Sequence, residues 1–385
     1  MAKNRVYSLM AIALMGLSVG LTSCEDEDTE QVQGNWVNVE KDFPGVARAG
    51  AVSFKIGEYV FIGTGANTSK TVERERFRDF FAVRLDEGQS TTDGTQKPVW
   101  TVNYTQEGMP FNVAVAPMPN EAPARNGGVG FSINGKGYVG LGYDGTKYLK
   151  DFWEYTPETN SWKRVADYPG DSVRFAVSFV IDNIAYVGLG ENFDNDYVTD
   201  FYKFDGTEWK PMSSYGRQLS QSSAFVVDGK GYVVGGLGQM GASYLMYRYD
   251  PKRDIWEKMN NTKDTERDDF DDEYTGLSSY GHTAFVLYPN DIEKARVYLA
   301  TGGSAPGGQA AWEYYPKYDY WIQRHPFEGN ARKFAVSFTL TDKNGVDHGY
   351  VTTGGTDDMT ITNSGGRFYG DTWMFNPEAP YEHRD

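Results

Sequence analysis

Six segments of this 385-residue chain repeat one pattern: an apolar strand, a turn, a second strand ending in glycines, an aromatic third strand and a fourth strand carrying Trp. Repetition on this scale constrains the fold more than any single motif, because each unit buries its apolar faces only against its neighbours. The second strands read YVFIGTG (59–65), YVGLG (138–142), YVGLG (186–190), YVVGG (232–236), YLATGG (298–303) and YVTTGG (350–355), opening on Tyr59, Tyr138, Tyr186, Tyr232, Tyr298 and Tyr350. The third strands read DFFAV (79–83), DFWEY (151–155), DFYKF (200–204), LMYRY (245–249), AAWEY (310–314) and DTWMF (371–375). Trp153, Trp312 and Trp373 share one register there, with Phe81, Tyr202 and Tyr247 in the other three. Fourth strands carry Trp100, Trp162, Trp209, Trp256 and Trp321.

The ninth Trp sets the topology. Asn35-Trp36-Val37-Asn38-Val39 precedes the first full repeat and aligns with Ser161-Trp162-Lys163-Arg164-Val165, a fourth strand. The sixth repeat ends at Asn376-Pro377 without a Trp strand, so the N-terminal strand is expected to complete the C-terminal sheet and tie the chain ends together. An apolar strand ending in Gly-Gly, a downstream aromatic pair and a Trp at spacings of 62, 47, 47 and 65 residues resemble kelch repeats, whose period is about 50. The resemblance runs from about residue 35 to 377 and implies an all-β fold, a six-bladed kelch-type β-propeller. It departs from the pattern at Leu245 and Ala310, where other repeats have Asp, and at Gly63-Thr64-Gly65 in place of a strict pair. Physics agrees with the resemblance. A lone four-stranded sheet cannot bury both faces, whereas six sheets around an axis let the Trp and Tyr of one pack on the next.

The first residues read as a processing segment. Lys3 and Arg5 precede an apolar stretch, Val6 to Gly20, that is short for a membrane span and ends in Leu21-Thr22-Ser23-Cys24, which resembles a bacterial lipobox. The expected organisation is a lipoprotein signal peptide (1–23), lipidation at Cys24, an acidic tether (24–34), the propeller (35–378) and a C-terminal tail (379–385). The run Glu25-Asp26-Glu27-Asp28 also resembles the acidic signals that route some lipoproteins to the outer surface. An outer-membrane lipoprotein on the cell surface or the periplasmic face is expected, touching the membrane only through its lipid.

Cys24 is the only cysteine, which excludes an intramolecular disulfide and a Cys-based zinc site. It also excludes a copper radical oxidase of the galactose oxidase type, which needs a Tyr–Cys crosslink. The formal net charge of −16 argues against nucleic-acid binding. No Gly-x-Ser-x-Gly, His-Glu-x-x-His or Walker loop occurs. No cofactor and no metal are expected. Asp268-Asp269-Phe270-Asp271-Asp272-Glu273, within the acidic loop 264–273, lacks the glycine and spacing of an EF-hand and reads as a solvated loop.

In a propeller, the loops ahead of the innermost strands and those after the second strands crowd one end of the axis. Residues leading into the innermost strands read Arg48, Arg125, Arg174, Gln221, His282 and Arg332-Lys333, aligned through RFAVSFVI (174–181) and KFAVSFTL (333–340). On an acidic protein these form an expected basic set, suited to a carboxylate or bonded to neighbouring carbonyls. Loop acids add Glu191 and Glu73 as candidate catalytic carboxylates. Three functions fit: a binding module for a glycan, peptide or partner protein at the channel mouth; an enzyme resembling the kelch-fold sialic-acid epimerases or mutarotases, acting on a small anionic sugar without metal; or a structural part of a surface complex.

Overall fold

The structure, a computed structural model, describes residues 34–39, 42–69, 75–90, 96–101, 103–104, 113–194, 196–260, 279–303, 308–356 and 366–379. Cys24, Glu73, His383 and the acidic loop 264–273 lie outside them.

Six antiparallel sheets form the six blades of a propeller. Blade 1 comprises Ala49–Ile56, Tyr59–Asn67, Phe80–Ser90 and Gln96–Thr101. Blade 2 comprises Val129–Ile133, Lys136–Gly140, Phe152–Thr156 and Ser161–Val165. Blade 3 comprises Val177–Ile181, Ile184–Gly188, Phe201–Phe204 and Trp209–Pro211. Blade 4 comprises Ser223–Val227, Lys230–Val234, Met246–Asp250 and Ile255–Lys258. Blade 5 comprises Thr283–Leu287, Arg296–Ala300, Ala311–Tyr315 and Tyr320–Arg324. Blade 6 comprises Val336–Thr341, Asp347–Thr352 and Thr372–Asn376, completed by the N-terminal strand Asn35–Asn38. Trp36 pairs with Phe375 and Val37 with Met374 in that closure, so the ring has no open seam. The first strands neighbour one another in a closed circuit and are therefore innermost.

One aromatic relation repeats around the ring. The innermost strands carry Phe54, Phe131, Phe179, Phe225, Phe285 and Phe338 in a common register. Each stacks on an aromatic of its own second strand, as Phe179 does on Tyr186 at 5.2 Å and Phe338 on Tyr350 at 5.1 Å. Each also meets an aromatic of the next blade: Phe54 with Trp162, Phe131 with Phe204, Phe179 with Trp256, Phe225 with Tyr314, Phe285 with Trp36 and Phe338 with Trp100, at 6.2–6.5 Å. Burying such rings contributes roughly 2–3 kcal/mol each from area, with edge or stacking geometry adding about 1. This is the packing the aromatic registers predict.

Blade 1 corrects one register. Phe61, not Tyr59, stacks on the innermost Phe, at 5.2 Å from Phe54. Counting from it, Gly63-Thr64-Gly65 superposes on Gly140-Leu141-Gly142 and Gly188-Leu189-Gly190. The middle residues Thr64, Leu141 and Leu189 all adopt positive φ, between 58° and 61°. The apparent departure from a Gly-Gly pair is thus the same turn in three blades.

Candidate functional site at the glycine-loop rim

Two closed rings of backbone hydrogen bonds shape the end of the axis where the glycine loops gather. Gly50, Gly127, Phe175, Gln221, Gly281 and Phe334 all have φ between 54° and 64°. Each N–H in this set donates to the carbonyl of its counterpart in the preceding blade, at 2.7–3.0 Å, and Gly50 closes the circle onto Phe334. A second circle runs the other way: Gly65, Gly142, Gly190, Gly236, Gly302 and Gly354 donate to Arg125, Val173, Leu219, Ser279, Arg332 and Arg48 carbonyls, at 2.7–2.9 Å. Every blade junction is therefore stapled twice, and polar backbone at the crowded axis is satisfied without water. Across the ring, Phe175 of the blade 3 edge stacks on Phe334 of the blade 6 edge, with centroids 4.6 Å apart and planes 17° apart.

The residues leading into the innermost strands fall into four registers rather than one. Taking the hydrogen-bonded ring as reference, Arg48, Arg125 and Arg332 stand two positions before it. Arg174 and Lys333 stand one before, Gln221 lies within it and His282 one after. The sequence alignment merged these because RFAVSFVI and KFAVSFTL match each other but not the RAGA and RNGG segments by simple counting.

The first group is clasped inside single blades. Arg125 donates through Nη1 and Nη2 to both oxygens of Asp151, at 2.9 and 2.8 Å, through Nη1 to Leu141 O and through Nε to Pro123 O. Arg332 repeats the set on Asp371, Thr353 O and Asn330 O, and Arg48 on Asp79, Thr64 O and Val46 O. All three side chains are closed to solvent. Burial pushes the Asp151 carboxyl up, but the bonds and charge of Arg125, with the Trp153 N–H, outweigh it and hold it below the usual range. The Asp is the third-strand residue replaced by Leu245 and Ala310 in blades 4 and 5. Those blades have Leu219 and Ser279 where the Arg would stand, so the two departures mark blades that lack the clasp.

His282 is buried, and burial lowers it to about 4, so it is neutral near pH 7. Its Nδ1 lies 2.6 Å from Ser223 Oγ, which also donates to the His282 carbonyl at 2.9 Å. With that hydroxyl proton committed, Nδ1 is the protonated nitrogen. Nε2 has no hydrogen-bond partner and faces Gly235, where an added Cβ would lie 2.5 Å from it.

Arg174 is different. Its Nε and Nη2 each lie 2.6 Å from Glu191 Oε1, a carboxylate from the loop after the second strand. The isolated pairing of the Arg174 and Glu191 backbones holds that loop against the strand. Tyr148 donates to Glu191 Oε1 at 3.4 Å, and Ser220 of blade 4 to Oε2 at 3.3 Å. The Arg174 guanidinium lies 5.1 Å from the Tyr148 ring centre and 5.8 Å from that of Tyr143. Arg76, from blade 1, covers Tyr143 at 4.6 Å and donates to Asn126 at 2.7 Å. Phe193, 52% exposed, meets Tyr148 edge-on at 5.4 Å. Burial, with the Glu191 charge against the opposing pull of Arg174, pushes the Tyr148 hydroxyl up to about 12 and keeps it a proton donor. One carboxylate, one guanidinium and one phenol thus meet within hydrogen-bond reach, buried at the rim across blades 2, 3 and 4. Sequence reading names Arg174 and Glu191. It misses Tyr148 and Ser220, which come from neighbouring blades and carry no motif.

Other loop polar groups shape the loops themselves. Asp144 Oδ1 accepts from Thr146 N, Thr146 Oγ1 and Lys147 N, and Asn192 Oδ1 from Asp194 N and Asp196 N. Among the described residues, no group of three or more His, Cys, Asp or Glu comes together as a metal site.

The fold and this arrangement define a class: the chain is a six-bladed β-propeller carrying a kelch motif, matched at residues 142–167. It also shows weak homology to bacterial N-acetylneuraminate epimerases. It is 36% identical over 86 residues to that of Haemophilus influenzae, 21% of this chain and 23% of the other, and 29% identical over 136 residues to that of Escherichia coli O157:H7, 34% and 36%. Beta-scruin of Limulus polyphemus is 22% identical over 258 residues, covering 63% of this chain and 25% of its own. The chain therefore spans well under two thirds of each of these relatives. Among solved structures, that of YjhT superposes with a TM-score of 0.59 at 14% identity, over 86% of this chain and 95% of that one, a likeness of fold.

Proposed function

We propose that the protein is a metal-independent epimerase or mutarotase acting on an anionic sugar such as sialic acid, centred on Arg174 and Glu191. The observation that carries this reading is the odd partner of Arg174. The arginines at positions 48, 125 and 332 are held by an Asp of their own blade, whereas Arg174 meets a rim-loop carboxylate that also touches a phenol. The segmental likeness to N-acetylneuraminate epimerases supports it.

Mutarotation needs a base to take the anomeric hydroxyl proton and an acid to protonate the ring oxygen as the ring C–O bond breaks. Closure on the other face of the carbonyl reverses both transfers. Glu191 is the acceptor and Tyr148 the donor in this scheme, and the reversed transfers on closure restore both to their starting states. Arg174 supplies the positive charge that draws the sugar carboxylate. Because Arg174 and Glu191 are 5% and 6% exposed, a sugar reaches them only through a movement of the rim.

The test is NMR of freshly dissolved N-acetylneuraminate. Wild-type protein is expected to speed anomer exchange over buffer, and Glu191→Gln, checked for folding, to abolish the gain. No gain by wild type ends the enzymatic reading. Burial of the pair favours a second reading, a binding module for a glycan, peptide or partner protein, which saturable binding without turnover would support. Attachment through a lipid on Cys24, at the cell surface or in the periplasm, completes the proposal. Cys24→Ala should move the protein from the detergent phase to the aqueous phase, and an unchanged partition would refute the anchor.

A further inference from the structure

Below the hydrogen-bonded ring, alternate residues of each innermost strand face the axis. They line a narrow channel of about 210 Å³ whose walls are mostly Ala, Gly and Ser. The last axis-facing register, at the end where the first and second strands turn, reads Lys55, Ser132, Val180, Val226, Val286 and Thr339. In it Ser132 Oγ donates to Lys55 O at 2.5 Å and Thr339 Oγ1 to Val286 O at 2.8 Å, each reaching the preceding blade. Lys55 Nζ makes the same reach, to Thr339 O at 3.2 Å. An ammonium thus stands where blades 2 and 6 have hydroxyls and the other three have valines. With His282 neutral, it is the one charged side chain in the axis-facing registers among the described residues.

Beside Lys55 a cavity of about 620 Å³ opens between blades 5, 6 and 1, sharing Ser53 and Ser337 with the channel. That size lies within the range of roughly 300–1,000 Å³ usual for small-ligand sites. Phe54, Phe338 and Pro289 give it apolar lining, while Asn290, Thr341 and Asp347 supply polar groups. Asp347 is fixed in place, accepting from Tyr288 N and Thr341 Oγ1, each at 2.7 Å. The lining carries both signs of charge: Lys55 opposes Asp347, while Asp291 lies 3.7 Å from Lys294, an exposed residue outside the cavity. With an ammonium, an amide and carboxylates set beside apolar rings, it offers both donors and acceptors rather than a single-sign site for an anion. It suits a ring whose hydroxyls both donate and accept and whose C–H face is apolar. Lys55 uses one of its three N–H groups on Thr339.

We propose that this cavity at the hairpin end is a second ligand site, taking a neutral saccharide, with Lys55 and Asn290 as its polar contacts. It lies at the opposite end of the axis from Arg174, beyond the double ring of backbone bonds, and stands or falls apart from the rim chemistry.

Saturation-transfer NMR tests it with methyl α-glucoside, methyl β-galactoside and N-acetylglucosamine at millimolar concentration. Transfer to at least one is expected from wild type and from Arg174→Ala. It should be lost in Lys55→Met and reduced severalfold in Asn290→Ala, an exposed turn position that keeps the fold if the lysine variant does not. Methyl glucuronate should show no advantage over the neutral sugars. Absence of transfer to all three, or equal transfer in both cavity variants, overturns the proposal. Loss in Arg174→Ala alone also overturns it, because the sugar would then sit at the rim.

Discussion

Phe175 and Phe334 stack face to face at 4.6 Å across the propeller axis, although they lead into the innermost strands of blades 3 and 6, on opposite sides of the ring. Both sit at positive φ in the hydrogen-bonded ring, and an added Cβ on Gly127 or Gly281 would strike one of the two rings at 2.9 Å. The pair and the two glycines between them form one closure over the rim end of the channel.

Removing either ring should therefore cost more than an exposed aromatic would. Phe175→Ala and Phe334→Ala are each expected to lose about 3–5 kcal/mol in urea unfolding. The double variant should fall short of the sum by about 1 kcal/mol, the stacking energy. Strict additivity would show that the rings do not support each other.

Gly349 precedes Tyr350 and receives the Phe285 ring of the preceding blade, with an added Cβ only 2.0 Å from that ring. Gly349→Ala is expected to destabilise by about 1–3 kcal/mol through overpacking. Shortening the neighbour in the double variant with Phe285→Leu should recover part of the loss relative to Phe285→Leu alone. Gly349 is not at positive φ, so its loss reports the clash, whereas Gly229→Ala, with nothing within 4 Å but φ +65°, reports backbone strain alone. A Gly349→Ala protein as stable as wild type would show that the Phe285 ring gives way at no cost.

The Arg125–Asp151 clasp leaves a buried carboxylate behind when the arginine is removed. Arg125→Ala should cost about 3–5 kcal/mol. Arg125→Met with Asp151→Leu, which copies the apolar substitutes of blade 4, should regain most of it. A double variant as unstable as the single would mean that the carbonyl contacts to Leu141 and Pro123, rather than the ion pair, hold the blade edge.

Acid should weaken the fold in two stages. His282 sits near 4 in the folded protein and near 6.5 when unfolded. Its stabilising contribution is complete above about 6.5 and is lost as pH falls toward 4, about 3 kcal/mol in all. Asp151 and Asp371, both held below their ordinary value by their arginines, add a loss only at lower pH. His282→Asn should flatten the melting temperature between pH 6.5 and 4 while leaving the lower limb. An unchanged slope would exclude His282 as its source.

Much of this was legible in the chain itself. The repeating Tyr, Trp and Gly positions specify six sheets, and Trp36 without a repeat of its own specifies how the ring closes, because an unpaired strand and an incomplete sheet answer each other. Leu245 and Ala310 stand in two of the three blades without the clasp; blade 3 keeps Asp200 but has Val173 in the arginine register, and the repeat pattern does not mark it. The site was legible only in part. Arg48, Arg125, Arg174 and Arg332 look alike in sequence, since each precedes an innermost strand.

The sequence by itself determined periodicity, and with it blade number, closure and aromatic core, because these follow from which residues recur and at what spacing. Tertiary structure decided what each recurring residue does. A shift of one position relative to the axis turns Arg174 from its own third strand toward a loop glutamate, and brings Tyr148 and Ser220 from neighbouring blades to the same carboxylate. Such assignments depend on the angle at which each blade meets the next, and that angle is set by packing among side chains far apart in the chain.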